Sequence, residues 1–192
     1  TLLTTEECLL SPVQQRNPGL DRAGYERAFA QHLGVSHVIW LERGIAGDDT
    51  HGHVDDLSRF VAADTVLTMV EPDPTQPNHA PLRENLRRLR AARDQDGNPL
   101  RVVELPMPGP VSFNGAALPA SYANFYLANG LVLVPVFNDR NDRLALNLLA
   151  ELFPGREVVG IYAGDLILGF GALHCLTQQQ PEVQPSLAGS EG

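Results

Sequence analysis

Lysine is absent: all 14 basic residues are arginine, and 23 acidic residues bring the net charge to -9. So acidic a chain offers no basic stripe for a nucleic-acid backbone, and its field favours small cationic ligands over phosphorylated ones. Cysteine is scarce too. Cys8 and Cys175 lie far apart, which gives no disulfide framework and suits reduced thiols and a cytoplasmic setting. Long apolar runs are lacking as well. The most apolar stretch, Leu127 to Phe137, contains Asn129, Gly130 and Pro135 and falls short of the roughly 18 to 20 residues of a membrane helix, so no membrane partner is expected. The sequence begins at Thr1 without a signal-peptide pattern, inside the apolar run of Leu2, Leu3, Leu9 and Leu10, as expected of a chain cut partway through a domain.

What is there follows a repeating order. Asp21 followed by Tyr25, Ala28, Phe29 and Leu33, with Gly34 behind, has the caps and spacing of a helix. Val35 to Leu41 reads as a buried strand. Val54 to Val61 and Val66 to Val70 are the next two, and Pro81 opens a helix with Leu82, Leu86 and Leu89 on one face. Leu100 to Leu105 is the following strand. Ser121 to Leu127 and Leu131 to Val136 then form a hairpin through Asn129 and Gly130. Asn141 caps a helix bearing Ala145, Leu148, Leu149 and Leu152, and Glu157 to Ile161 is the strand after it. The period is roughly 60 residues of strand, strand, helix, strand. The first copy lacks its opening strand, and Gly171 to Leu176 looks like the first strand of a fourth. Incomplete ends of this kind suit a closed ring of modules. The polar residues 182–192 are expected to be disordered.

Three segments could carry chemistry. In Gly47 to Asp56 (GDDTHGHVDD), two histidines and four aspartates fall within ten residues. A solvated acidic turn would account for this about as well as a site. If Val54 begins a strand, His53 and Asp55 share one face and Asp56 points to the other. The second segment, Gly169 to Thr177 (GFGALHCLT), places glycines ahead of Cys175, so that backbone can come close to a thiol nucleophile. A buried inert thiol is the commoner use of a lone cysteine, and Cys8, beside Glu6 and Glu7, is assigned to that class. The third, Ser121 to Tyr126, reads first as hairpin core whose Asn124 and tyrosines could still line a pocket.

Two chemistries compete for these residues. Thr50 to Asp56 approximates the HxHxDH pattern of the metallo-beta-lactamase superfamily, which would make the chain a zinc hydrolase, but Asp56 stands where the last histidine belongs. The other joins Cys175, His53 and Asp55: thiolate attack, a histidine proton shuttle, and a carboxylate for a cationic substrate. In that light GDDTHGHVDDLSRF, ASYANFYLANG and FGALHCLTQQQP, with TTEECLLSP and VVGI, resemble the agmatine deiminases and the related bacterial peptidylarginine deiminases, in one order from about Leu2 to Pro181.

The resemblance implies an α/β pentein fold, a five-bladed propeller of strand-strand-helix-strand modules. Residues 1–181 would then supply about three of the five, with modules near 1–45, 46–110 and 111–170 and a closing strand over 171–181. It implies Cys175 as nucleophile, His53 as general acid and base, and Asp55 as the guanidinium-binding carboxylate, with Asp49 and then Asp48 as weaker binding candidates. It implies agmatine as substrate, N-carbamoylputrescine and ammonia as products on the way to putrescine and polyamines, and neither metal nor organic cofactor. Arginine or peptidyl-arginine is the alternative substrate. The family draws a second aspartate and a glutamate from the preceding half, so these residues alone are expected to turn over little. The preceding half or a second copy is the expected macromolecular partner. His51 and Phe170 depart from the family pattern, which has a small polar residue and a glycine there.

Overall fold

The computed structural model describes residues 1–14 and 16–180; residues 182–192, expected to be disordered, lie outside them. β1 (Leu2–Thr5) lies parallel to β2 (Val38–Leu41), with α1 (Glu6–Leu10) and α2 (Arg22–Leu33) between them in the chain. β3 (Ser58–Ala62) runs antiparallel to β4 (Thr65–Val70), which crosses through α3 (His79–Ala91) to the parallel β5 (Arg101–Pro106). After a small hairpin of β6 (Ser112–Phe113) and β7 (Ala116–Ala117) the pattern recurs. β8 (Tyr126–Ala128) is antiparallel to β9 (Leu131–Val136), and α4 (Asp142–Leu152) returns the chain to the parallel β10 (Glu157–Tyr162). The expected strand-strand-helix-strand order is thus present twice complete and once without its first strand. No described helix is long and apolar enough to cross a membrane.

Local chemistry accounts for these boundaries. Asp21 Oδ1 accepts from Gly24 N at 2.8 Å at the start of α2, and Gly34, at a φ of 67°, ends it. In α3, Leu82 and Leu89 are fully buried while Arg83, Arg87 and Arg90 face solvent, the amphipathic division that the leucine spacing predicts. Asn85 shares the buried face because its amide is satisfied. Its Oδ1 accepts from Glu42 N at 2.8 Å and its Nδ2 donates to Arg43 O at 2.7 Å, which fixes the end of β2 against α3. The strands meet the helices in one core that includes Leu41, Leu57, Leu67, Met69, Leu105, Phe125, Val134 and Leu149.

Four expectations about local structure are corrected. Val54–Asp56 is a 3-10 helix, and the strand begins only at Ser58. Ser121 to Phe125 is wholly buried but irregular, with only Tyr126–Ala128 in the hairpin. Its polar groups bond to side chains and loops, so no ladder is needed to satisfy them. Residues 171–180 form turns and irregular backbone rather than a closing strand, since no described strand lies alongside to complete a ladder. Asn141 precedes α4 without capping it. Its Nδ2 instead donates to Met107 O at 2.8 Å, while the Asp142 carboxylate accepts from Phe137 N, Asp139 N and the Tyr122 hydroxyl.

Candidate active site

The acidic loop is tied by one of its own carboxylates. Asp48 Oδ1 accepts from Thr50 N at 2.8 Å, and Oδ2 accepts from Gly52 N at 2.8 Å and His53 N at 2.9 Å. His51 and Gly52 take positive φ angles of 58° and 81° to make the turn. Asp48, a weak binding candidate by sequence, is therefore spent on the loop itself. From the end of β1 the Thr5 hydroxyl donates to Gly52 O at 2.5 Å, and from α1 Glu7 Oε2 accepts from Gly44 N at 2.7 Å. The loop is thereby fixed on the β1–α1 junction, and His53 and Asp55 are delivered from a rigid base.

At the other end of the sequence, the turn bearing Cys175 closes onto the same place. Cys175 Sγ lies 3.5 Å from Asp55 Oδ2. The next residue back, His174, places Nδ1 2.6 Å from the same Asp55 oxygen, as an N–H donor to a carboxylate. Asn124, fully buried, reaches all of them. Its Nδ2 lies 3.1 Å from Asp55 Oδ2, 2.9 Å from Asp56 Oδ1 and 3.0 Å from Cys175 Sγ, and its Oδ1 accepts from His174 N at 3.0 Å. Sequence alternation sends Asp55 and Asp56 to opposite faces, but the 3-10 turn brings both to this one amide. Gly171 is required for the approach, because a Cβ there would sit 2.7 Å from Cys175 Cβ. Phe170 holds a left-handed φ of 61°, a conformation that glycine adopts without strain.

The other sequence candidates are placed differently. His53 immediately precedes the 3-10 helix without a side-chain cap bond and is not hydrogen-bonded to Cys175 or Asp55; its Nε2 is 2.9 Å from Arg16 Nη2, which also donates to Thr50 O at 2.6 Å. Arginine has no acceptor, so Nε2 bears the lone pair and the ring proton sits on Nδ1. Asp49 is exposed, away from the Asn124 network. Cys8 is half-buried, and burial pushes its thiol up from the ordinary value. The zinc reading finds no ligand set: among the described residues no group of three or more His, Cys, Asp or Glu is placed to hold a metal ion. Residues the sequence did not mark for this site are Arg16, Asp56 and His174. The position of His174 beside Cys175 was the available signal.

Charge is divided unequally across the cluster. Burial opposes ionisation of Asp55, yet the hydrogen bond and charge of His174 outweigh it and hold this carboxyl below its ordinary value. Asp56 is pushed up to about 8, first by burial and then by the charges of Asp55 and Asp48. The Cys175 thiol is pushed up to about 11 by partial burial and then by the Asp55 charge. Asp56 yields a test of stability. Its folded value exceeds that of an unfolded aspartate, so the folded chain binds this proton more tightly. That contribution is complete below about pH 4 and is lost as pH rises through about 8, at on the order of 1 kcal/mol per pH unit crossed. Asp56→Asn, which cannot ionise, is expected to flatten this decline. Denaturant midpoints at acid and alkaline pH measure it, and an unchanged slope in the variant would show that Asp56 is not the group responsible.

Comparison with known proteins places this chain in a family. The model of the Porphyromonas-type peptidyl-arginine deiminases matches residues 1–181. A Legionella pneumophila (strain Philadelphia 1) protein named "Putative agmatine deiminase" is 39% identical, over 95% of this chain and 52% of its own length. The crystal structure described as the "Putative Arginine Deiminase from Porphyromonas gingivalis" is 42% identical with a TM-score of 0.89, over 94% of this chain and 53% of that one. The agmatine deiminase of Enterococcus faecalis is 34% identical with a TM-score of 0.88, again over 94% and 53%. The chain spans about half the length of the curated relatives it matches. Its modules are those of the pentein fold, and the chain belongs to the Porphyromonas-type peptidyl-arginine deiminase family.

Proposed function

We propose that this chain carries the nucleophile half of an agmatine deiminase, which hydrolyses agmatine to N-carbamoylputrescine and ammonia. The supporting observation is the convergence of Cys175 Sγ and the Asp55 carboxylate within 3.5 Å: a thiol nucleophile beside an anion that remains charged and can hold a guanidinium. In the free site the thiol is protonated, but a bound guanidinium offsets the Asp55 charge that disfavours ionisation. The thiol proton passes to the His53 lone pair, and the thiolate forms a bond to the guanidinium carbon. His53 protonates the departing nitrogen, the C–N bond breaks, and ammonia leaves an amidino-cysteine. His53 next takes a proton from water, whose oxygen attacks the same carbon. The C–S bond breaks, the thiolate is regenerated and the ureido product departs. Asp49 is the weaker candidate for the distal amine. No metal or organic cofactor enters these steps. Residues 1–181 would form part of one catalytic domain acting in polyamine synthesis, in the cytoplasm.

The test is ureido-product formation by the native polypeptide carrying these residues, from agmatine, arginine and a peptidyl-arginine in parallel, with a chelator-treated sample. Product from agmatine alone, insensitive to chelator, is the expected result. Product chiefly from arginine or the peptide would keep the reaction and overturn the substrate. No product from any of the three by folded protein would overturn both.

A further inference from the structure

Arg59, on β3, lies beneath the nucleophile site without touching it. Its Nη1 donates to Ala123 O at 3.1 Å and Phe125 O at 3.0 Å, the carbonyls on either side of Asn124, and the guanidinium carbon sits 4.6 Å over the Phe125 ring. Among the described residues Arg59 forms no ion pair. A half-buried guanidinium spent on two neutral carbonyls is costly to retain as a packing element. Burial lowers the Arg59 value, and the nearby Asp55, Cys175 and Asp56 oppose that when they are charged, so the guanidinium lies within the electrostatic reach of the cluster. One side chain thus does two things. It grips the irregular segment that carries Asn124, and it supplies positive charge to a cluster otherwise dominated by carboxylates.

We propose that Arg59 is a positioning residue of the nucleophile site, holding the Asn124 carboxamide against Cys175 while its unpaired charge favours the thiolate. This rests on the deiminase reading for its meaning in turnover, but not for its test. The groups around the thiol are Asp55 and Asp56 from the 3-10 turn, His174 from its own turn and Arg59 from β3, with His53 close to Asp55. Of these, Arg59 alone is positive at every working pH.

The experiment titrates the Cys175 thiol in the native polypeptide, by iodoacetamide alkylation of the Cys175 peptide across pH, in wild type, Arg59→Met and Arg59→Lys. Methionine removes charge and grip. The midpoint is expected to rise by about one pH unit and the alkylation rate at neutral pH to fall about tenfold. Lysine keeps the charge but loses the planar fork that spans two carbonyls, so a rise of about half that size is expected. Product assays should show the loss in kcat rather than in KM. If Arg59→Met fails to fold, Arg59→Lys carries the test. A folded Arg59 variant with an unchanged thiol midpoint overturns the proposal. A shifted midpoint in a protein that consumes no guanidine substrate would overturn the deiminase reading and leave this one standing.

Discussion

Replacing Cys175 with alanine is expected to reduce ureido-product formation by about 10^4-fold or more, while agmatine binding measured by calorimetry changes by no more than about threefold. The asymmetry follows from where the atoms sit. Sγ is at the exposed end of the cluster, with Asp55 and Asn124 behind it. Removing it takes away the bond-forming atom but leaves the carboxylate that would hold the guanidinium. Asp55 even loses a neighbour that competes for its oxygen, so binding has no reason to collapse. Cys8 supplies the control. It is half-buried, its thiol is pushed up by burial, and Cys8→Ser should retain turnover within about twofold. Substantial product from Cys175→Ala, or loss of activity in Cys8→Ser with Cys175 intact, would remove the cysteine from the role proposed for it.

Much of the scaffold was legible because it obeys local periodicities. Leucines at helical spacing in α3, the cap at Asp21 and the glycine at 34 mark helices from one window of sequence. The parallel strands, buried on the core side, show as short apolar runs. The site was legible only in part. Cys175, His53 and Asp55 stand out by residue type and by family resemblance, whereas their geometry depends on contacts that no local pattern encodes. His174 meets Asp55 across 119 positions, and Asn124 meets Cys175 across 51. Two segments misled in the same way. His53 to Asp55 alternates polar and apolar like a strand but leads into a 3-10 helix over Val54–Asp56, and Ser121 to Phe125 is apolar enough for a strand but is held by side-chain bonds. Ser121 Oγ donates to Asp56 O at 2.8 Å, and Arg59 takes the carbonyls beyond. In both cases long-range hydrogen bonding overrode local propensity, and in both the irregular backbone is what places the chemistry.

Asn124→Ala is expected to lower kcat by about 10^2 to 10^3, comparable to loss of an oxyanion donor, with a smaller change in KM. A carboxamide has two N–H protons, but Nδ2 faces three acceptors, Asp55 Oδ2, Asp56 Oδ1 and Cys175 Sγ. They cannot all be served at once. While the thiol is protonated, sulfur is the weakest acceptor, and the thiol can itself donate to Asp55. Once the proton leaves, sulfur becomes a strong acceptor and one N–H can turn to it, with Asp56 still largely protonated at neutral pH. The amide is therefore suited to stabilise the thiolate more than the thiol, a preference that raises kcat rather than binding. Asn124→Asp keeps the shape but sets a third carboxylate against Asp55 and Asp56. It should lose at least as much activity as alanine and should raise the thiol midpoint further, since it adds negative charge beside the sulfur. Alkylation of the Cys175 peptide across pH separates this from simple collapse of the turn. A merely structural Asn124 would leave the midpoint of the alanine variant where it is while destabilising the fold, whereas the donor role requires that midpoint to rise.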